Sequence, residues 1–127
     1  VASAITLLFV YGTLKRGGRN YPRIADQEFV AEVATAARYR VVDLGPYPGL
    51  IRDATNGLAV HGELFAVDAR GLAELDEFED VPNLFVRDLV EIPGYESVWA
   101  YYTSIPAPAG ARTGDRWPLA GGSGRDS

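Results

Sequence analysis

The chain has 127 residues, 47% of them apolar and 23% charged, with a formal net charge of −5 and no cysteine. That length suits one domain with a single core. The balance excludes a disordered polymer, and the missing cysteines exclude disulfides, thiolate metal sites and a cysteine nucleophile. An acidic chain without a basic cluster also argues against nucleic-acid binding. Lys15, Arg16 and Arg19 form the densest basic group, which reads as a solvated turn. No apolar run is long enough to span a bilayer, and no charged segment precedes an apolar stretch near the start. The expectation is therefore a protein without membrane partner or signal peptide, compatible with the cytoplasm, whose start without Met reflects processing or trimming.

In chain order, Thr6 to Tyr11 is a continuous apolar run ended by Gly12, which predicts a strand buried on both faces. Gly12 to Asn20 is a loop rich in glycine and arginine. Arg19 to Gln27 predicts a short helix weakened by Pro22, and Glu28 to Asp43 one or two strands. Two prolines and two glycines within Gly45 to Gly49 predict a loop. Asn56-Gly57 is a hairpin signal joining a short strand near Leu50 to a longer one from Leu58 to Val67. Asp68 is a natural N-cap for a helix over Ala69 to Asp80, closed by Pro82. Strands follow at Leu84 to Ile92 and Ser97 to Ser104 around a Pro93-Gly94 turn. Beyond Ile105 only Trp117 and Leu119 could anchor the chain, so residues 1–119 read as one domain and 120–127 as a disordered tail. The fold class is α+β: a small mixed, barrel-like sheet of six to seven strands with one or more flanking helices.

Five acids crowd residues 74–80. At roughly 100° per residue, with Leu72 at zero, Leu75 falls at about 300°, Phe78 at about 240° and Glu79 at about 340°. Glu79 thus lies within the apolar arc, Asp76 sits on its shoulder, and Glu74, Glu77 and Asp80 point elsewhere. A carboxyl placed toward a core must find a partner or take up a proton more readily. The helix C-terminus and the nearby Asp76 and Asp80 would push in the same direction. Two readings stand side by side: a group poised for proton transfer, or a structural salt bridge with Arg87 as partner.

The turn Tyr11-Gly12-Thr13-Leu14 follows the buried strand directly. Such a turn can leave successive N–H groups convergent and unpaired, as an anion or oxyanion site requires. Read alone it is equally a plain turn. It is not a phosphate-binding P-loop, since Gly12-x4-Gly17 is followed by Gly18-Arg19. His61, the only histidine, sits mid-strand with no companion at metal-ligand or triad spacing, so no metal site is expected.

Taken together, VYGTLKRG, PYPGLI, VHGELFAVD, LDEFEDVPNLFVR and VWAYYTS resemble, in order over residues 6–117, the γ-glutamylcyclotransferase-like family. The wording is most similar to its γ-glutamylamine cyclotransferase branch. The resemblance implies a small mixed barrel-like sheet and an enzyme, an amine-releasing lyase or acyltransferase, that forms 5-oxoproline without metal or cofactor. It implies that Glu79 is the catalytic acid/base and that Tyr11, Gly12, Thr13 and Leu14 form the substrate loop. Tyr47, Arg87 and Tyr101 are further candidate substrate contacts, and the expected partner is a small γ-glutamyl molecule. The family pattern has Tyr where this chain has Phe85, so a hydroxyl is gone that Tyr47, Tyr101 or Tyr102 would have to supply. The short loop between the last two long strands would leave the amine side of the pocket open. Two rival readings are removal of a γ-glutamyl protecting group from a biosynthetic intermediate, and a non-catalytic module that binds an acidic small molecule.

Overall fold

Residue Leu8 and its neighbour Phe9 are both fully buried, on opposite faces of strand β1 (Ile5–Val10). Successive strand side chains point to opposite faces, so such a strand must be covered on both. Phe9 faces the interior of a curled sheet with Leu50, Val60, Leu64 and Val98. Leu8 faces a second apolar layer that includes Phe65, Val67 and Leu75. The protein is a computed structural model that describes residues 4–119; the tail expected over 120–127 lies outside the described residues.

Seven strands and one α-helix are present among the described residues: β1, β2 (Glu28–Asp43), β3 (Pro48–Arg52), β4 (Leu58–Asp68), α1 (Ala69–Phe78), β5 (Phe85–Val90), β6 (Val98–Thr103) and β7 (Thr113–Gly114). The strand order is β1-β4-β2-β3-β6-β5. β6 also pairs in parallel with β1 from Leu7↔Val98 to Phe9↔Ala100, and with β3 at Leu50↔Tyr102. β1 and β3 therefore share one edge of β6, which closes the sheet into a barrel, while β5 occupies the other edge. Closure removes most exposed strand edges. No helix among the described residues is long and apolar enough to cross a membrane.

Helix α1 begins where expected. The Asp68 carboxylate accepts the Gly71 N–H at 2.7 Å, satisfying one of the first-turn donors. The helix ends at Phe78 rather than Asp80, with Glu79 as its C-cap and Asp80 in the left-handed region at φ 56°. Leu75 is buried against the outer face of the sheet, flanked by the half-buried Leu72 and Phe78.

Several expectations change. The helix predicted over Arg19 to Gln27 is a single 3-10 turn at Tyr21–Arg23, because Pro22 suits a first turn but lacks the N–H needed further in. Glu28 to Asp43 is one strand with irregular register near Ala37. Pro48 and Gly49 belong to β3, with Pro48 as the first strand residue, where its missing donor is tolerated. Asn56-Gly57 is not a hairpin turn. β3 and β4 both run antiparallel to β2 on its opposite edges, so the segment between them crosses over β2 instead of reversing. Neither residue has positive φ. Gly57 is needed for another reason: a Cβ there would lie 2.5 Å from the Arg38 Cα. The region after Ile105 is also more ordered than expected. Thr113 and Gly114 pair with Val42 and Val41, and Leu119 enters the barrel interior.

Candidate active site

A cavity of about 360 Å³ opens at the C-terminal end of β1. It lies where β1 and β3 part company along β6. Phe9↔Ala100 and Leu50↔Tyr102 bracket Tyr101, whose carbonyl accepts the Tyr11 hydroxyl at 2.7 Å. One wall is the turn from Tyr11 to Leu14; a second is Tyr47 and Pro48. Phe78 and Glu79 from the end of α1, Leu84 and Phe85, and Tyr101 complete it. The structure thus brings Glu79, Tyr11, Gly12, Thr13, Leu14, Tyr47 and Tyr101 to one cavity.

The Glu79 carboxyl is half-buried, and desolvation raises it from 4.5 to about 7. No hydrogen bond or ion pair among the described residues engages it. The expected partner, Arg87, is absent from the cavity wall. Its guanidinium instead holds Asp76 through two hydrogen bonds of 2.9 Å and lies 5.5 Å from the Trp99 ring. Tyr101 adds a third contact, its hydroxyl donating to Asp76 at 2.7 Å. Burial pushes Asp76 up, but the Arg87 and Tyr101 hydrogen bonds outweigh it and hold the carboxyl below its ordinary value. The physical reason for the changed pairing is the strand register: Arg87 stands opposite Tyr101 on β6, beside Asp76 one turn before Glu79. With the Asp76 charge paired to Arg87, burial rather than like-charge repulsion is what shifts Glu79.

The turn offers donors. Lys15 closes it by donating to the Gly12 carbonyl at 3.2 Å, and the Asn20 side chain donates to the Thr13 hydroxyl at 2.9 Å. No hydrogen bond among the described residues uses the N–H of Gly12, Thr13 or Leu14. Gly12 is sterically required, because a Cβ would lie 2.6 Å from Pro48 Cγ. The base of the loop is tied by Arg16, whose N–H and guanidinium both reach the buried Glu63, at 2.8 and 3.3 Å.

Phe85 is buried, and its ring packs against that of Tyr47 at 5.6 Å and a tilt of 50°. Of the tyrosines that could replace its missing hydroxyl, Tyr101 is committed to Asp76 and Tyr102 to the Leu89 carbonyl. Tyr47 remains, on the cavity wall. Burial, and then the Glu79 charge, raise the Tyr11 hydroxyl well above its usual range, so it stays a neutral donor. His61 is exposed, 3.7 Å from Asp115 and on a different part of the barrel. No group of three or more metal-ligating side chains occurs among the described residues. Reading the sequence missed Arg19, Asn20 and Pro48 as cavity residues. The sequence carries two signals for them, the basic cluster of the loop for Arg19 and the PYPGLI motif for Pro48.

The family model described as γ-glutamyl cyclotransferase, AIG2-like matches residues 8–119. Human γ-glutamylaminecyclotransferase is 37% identical over 114 residues, covering 82% of this chain and 72% of that one. The γ-glutamylcyclotransferase family protein YtfP of Escherichia coli K12 is 32% identical over 99 residues, covering 78% and 83%. The crystal structure of an AIG2-like protein from Mus musculus at 1.90 Å superposes with a TM-score of 0.80 at 29% identity, over 89% of this chain and 88% of that one. With the match spanning both the turn and the acid of the cavity, this chain is an enzyme of the γ-glutamyl cyclotransferase, AIG2-like family.

Proposed function

We propose that the enzyme converts a γ-glutamyl amine or γ-glutamyl amino acid into 5-oxoproline and the free amine, with Glu79 as the group that moves the proton. The observation that carries this reading is an unpaired carboxyl, raised by desolvation to about 7, on the wall of a cavity. A purely structural acid would be paired, as Asp76 is with Arg87.

A γ-glutamyl group carries its own nucleophile. Ionised Glu79 takes a proton from the α-ammonium, and the freed amine attacks the γ-carbonyl to close a five-membered ring. The tetrahedral intermediate collapses as the C–N bond to the leaving amine breaks and Glu79 returns the proton to that nitrogen; the attacking nitrogen gives up its second proton in the same collapse, and the amine departs with it as an ammonium ion. Because attack is intramolecular, the protein has mainly to fold the substrate and manage its protons. A carboxyl near 7 accepts and gives up that proton at neutral pH. The free N–H groups of Gly12 to Leu14 suit a negatively charged substrate oxygen, either the α-carboxylate or the developing oxyanion.

The test is 5-oxoproline release from a panel of γ-glutamyl amides, with Glu79→Gln beside the wild type. The expected loss is on the order of 10²- to 10⁴-fold in kcat, and wild-type kcat/KM should rise with pH through about 7. Full activity of Glu79→Gln would sink the mechanism. A wild type inactive on every amide while still binding 5-oxoproline would sink the enzymatic reading.

A further inference from the structure

The loop after the turn holds three cations, and their fates differ. Arg16 pairs with Glu63 and Glu32 and covers the Phe29 ring at 3.6 Å. Lys15 donates to the Trp117 carbonyl at 2.7 Å. Arg19 alone lines the cavity, and no carboxylate among the described residues lies within ion-pairing distance of it. Its guanidinium donates to the Pro46 carbonyl, which fixes its direction while occupying only part of its five-donor fork. Arg19 is solvent-exposed while Glu79 is half-buried, so Arg19 stands at the mouth and Glu79 further in. Among the described residues these two are the only formally charged ones on the cavity wall.

This arrangement has a direction. In the proposed reaction one carboxyl serves both the α-nitrogen and the leaving nitrogen, so the γ-carbonyl must sit close to Glu79. The γ-glutamyl end then fills the interior beside the turn, and the rest of the leaving amine extends outward past Tyr47 to the mouth. We propose that Arg19 is a specificity residue that receives a carboxylate on the leaving amine, so that the preferred substrates are γ-glutamyl amino acids rather than γ-glutamyl derivatives of uncharged amines. A guanidinium with free donors recognises a carboxylate through two parallel hydrogen bonds. This inference rests on the cyclotransferase reading above, and the test separates the two.

The probe pair is γ-glutamyl-alanine and its C-terminal amide, γ-glutamyl-alaninamide, which differ in a single charge. Wild type should favour the acid by about tenfold in kcat/KM, with a preference that shrinks as salt screens the exposed guanidinium. Arg19→Gln should bring the ratio close to one, Arg19→Glu should invert it, and Arg70→Gln, on the exposed start of the helix, should leave it alone. Equal kcat/KM for acid and amide in the wild type would overturn the inference. So would an Arg19→Gln enzyme that slows on both substrates by one factor, since the guanidinium would then serve the γ-glutamyl end. Affinities of both probes for Glu79→Gln, measured by calorimetry, give a second readout: the acid should bind about tenfold tighter. If the wild type is silent toward both probes, the affinities decide alone: tighter binding of the acid upholds the Arg19 inference and equal affinities overturn it. The cyclotransferase reading is then decided by the wider amide panel.

Discussion

Glu79 shows how one side chain can be placed against its own interest. Folding raises its carboxyl from 4.5 to about 7, so the folded state holds the proton more tightly than the unfolded chain does. The resulting stabilisation is complete below pH 4.5 and is lost as pH rises through 7. Glu79→Gln is neutral at every pH. It should match the wild type in acid and exceed it above pH 7, by up to about 3 kcal/mol at full ionisation. Urea unfolding at pH 4 and pH 9 checks this; a variant no more stable than wild type at pH 9 would mean that the carboxyl is solvated after all. Under the proposed mechanism, activity and stability pull in opposite directions at this position.

At the scale of elements, helix α1 positions that acid from a distance. Its first turn is fixed by the Asp68 cap and its middle by Leu75 against the sheet. Asp68→Ala should cost about 1 kcal/mol of stability, the usual worth of such a cap. The pH dependence of kcat/KM should stay put, because the C-terminal turn is held by its own bond from the Glu79 N–H to the Leu75 carbonyl at 2.8 Å. A displaced pH limb would show that the cap, rather than the apolar contact, sets the environment of Glu79. The helix start, the Pro93-Gly94 turn with Gly94 at φ 92°, and the doubly buried β1 were all legible locally. Each depends on residues within a few positions of one another. The Asn56-Gly57 segment was not, because its sequence permits a hairpin and only the pairing of both flanking strands with β2 prevents one.

The whole molecule is a barrel plugged from its own C-terminal region. Leu119 is 7% exposed and belongs to the interior cluster, with Trp117 packed beside it. Leu119→Ala should lower stability by about 2–4 kcal/mol, the range for a buried leucine whose cavity cannot fully collapse. A thermal midpoint unchanged by this substitution would show that the segment packs only loosely. The same region ties to the loop beside the cavity through the Lys15 bond to the Trp117 carbonyl, so the loop and the plug are held together.

Local sequence determined the buried first strand, the capped helix, the acid on its apolar arc and, through several short motifs in order, the family. These features depend on periodicity, capping and turn chemistry, which act over a few residues. Tertiary structure decided the rest. It brought Arg87 to Asp76 instead of Glu79, carried Arg19 out of a seemingly solvated turn and onto the cavity wall, and drew Leu119 into the core. The reason is the same in each case. Charge partners and core contacts are chosen by strand register and barrel closure, and those depend on pairings between residues far apart in the chain.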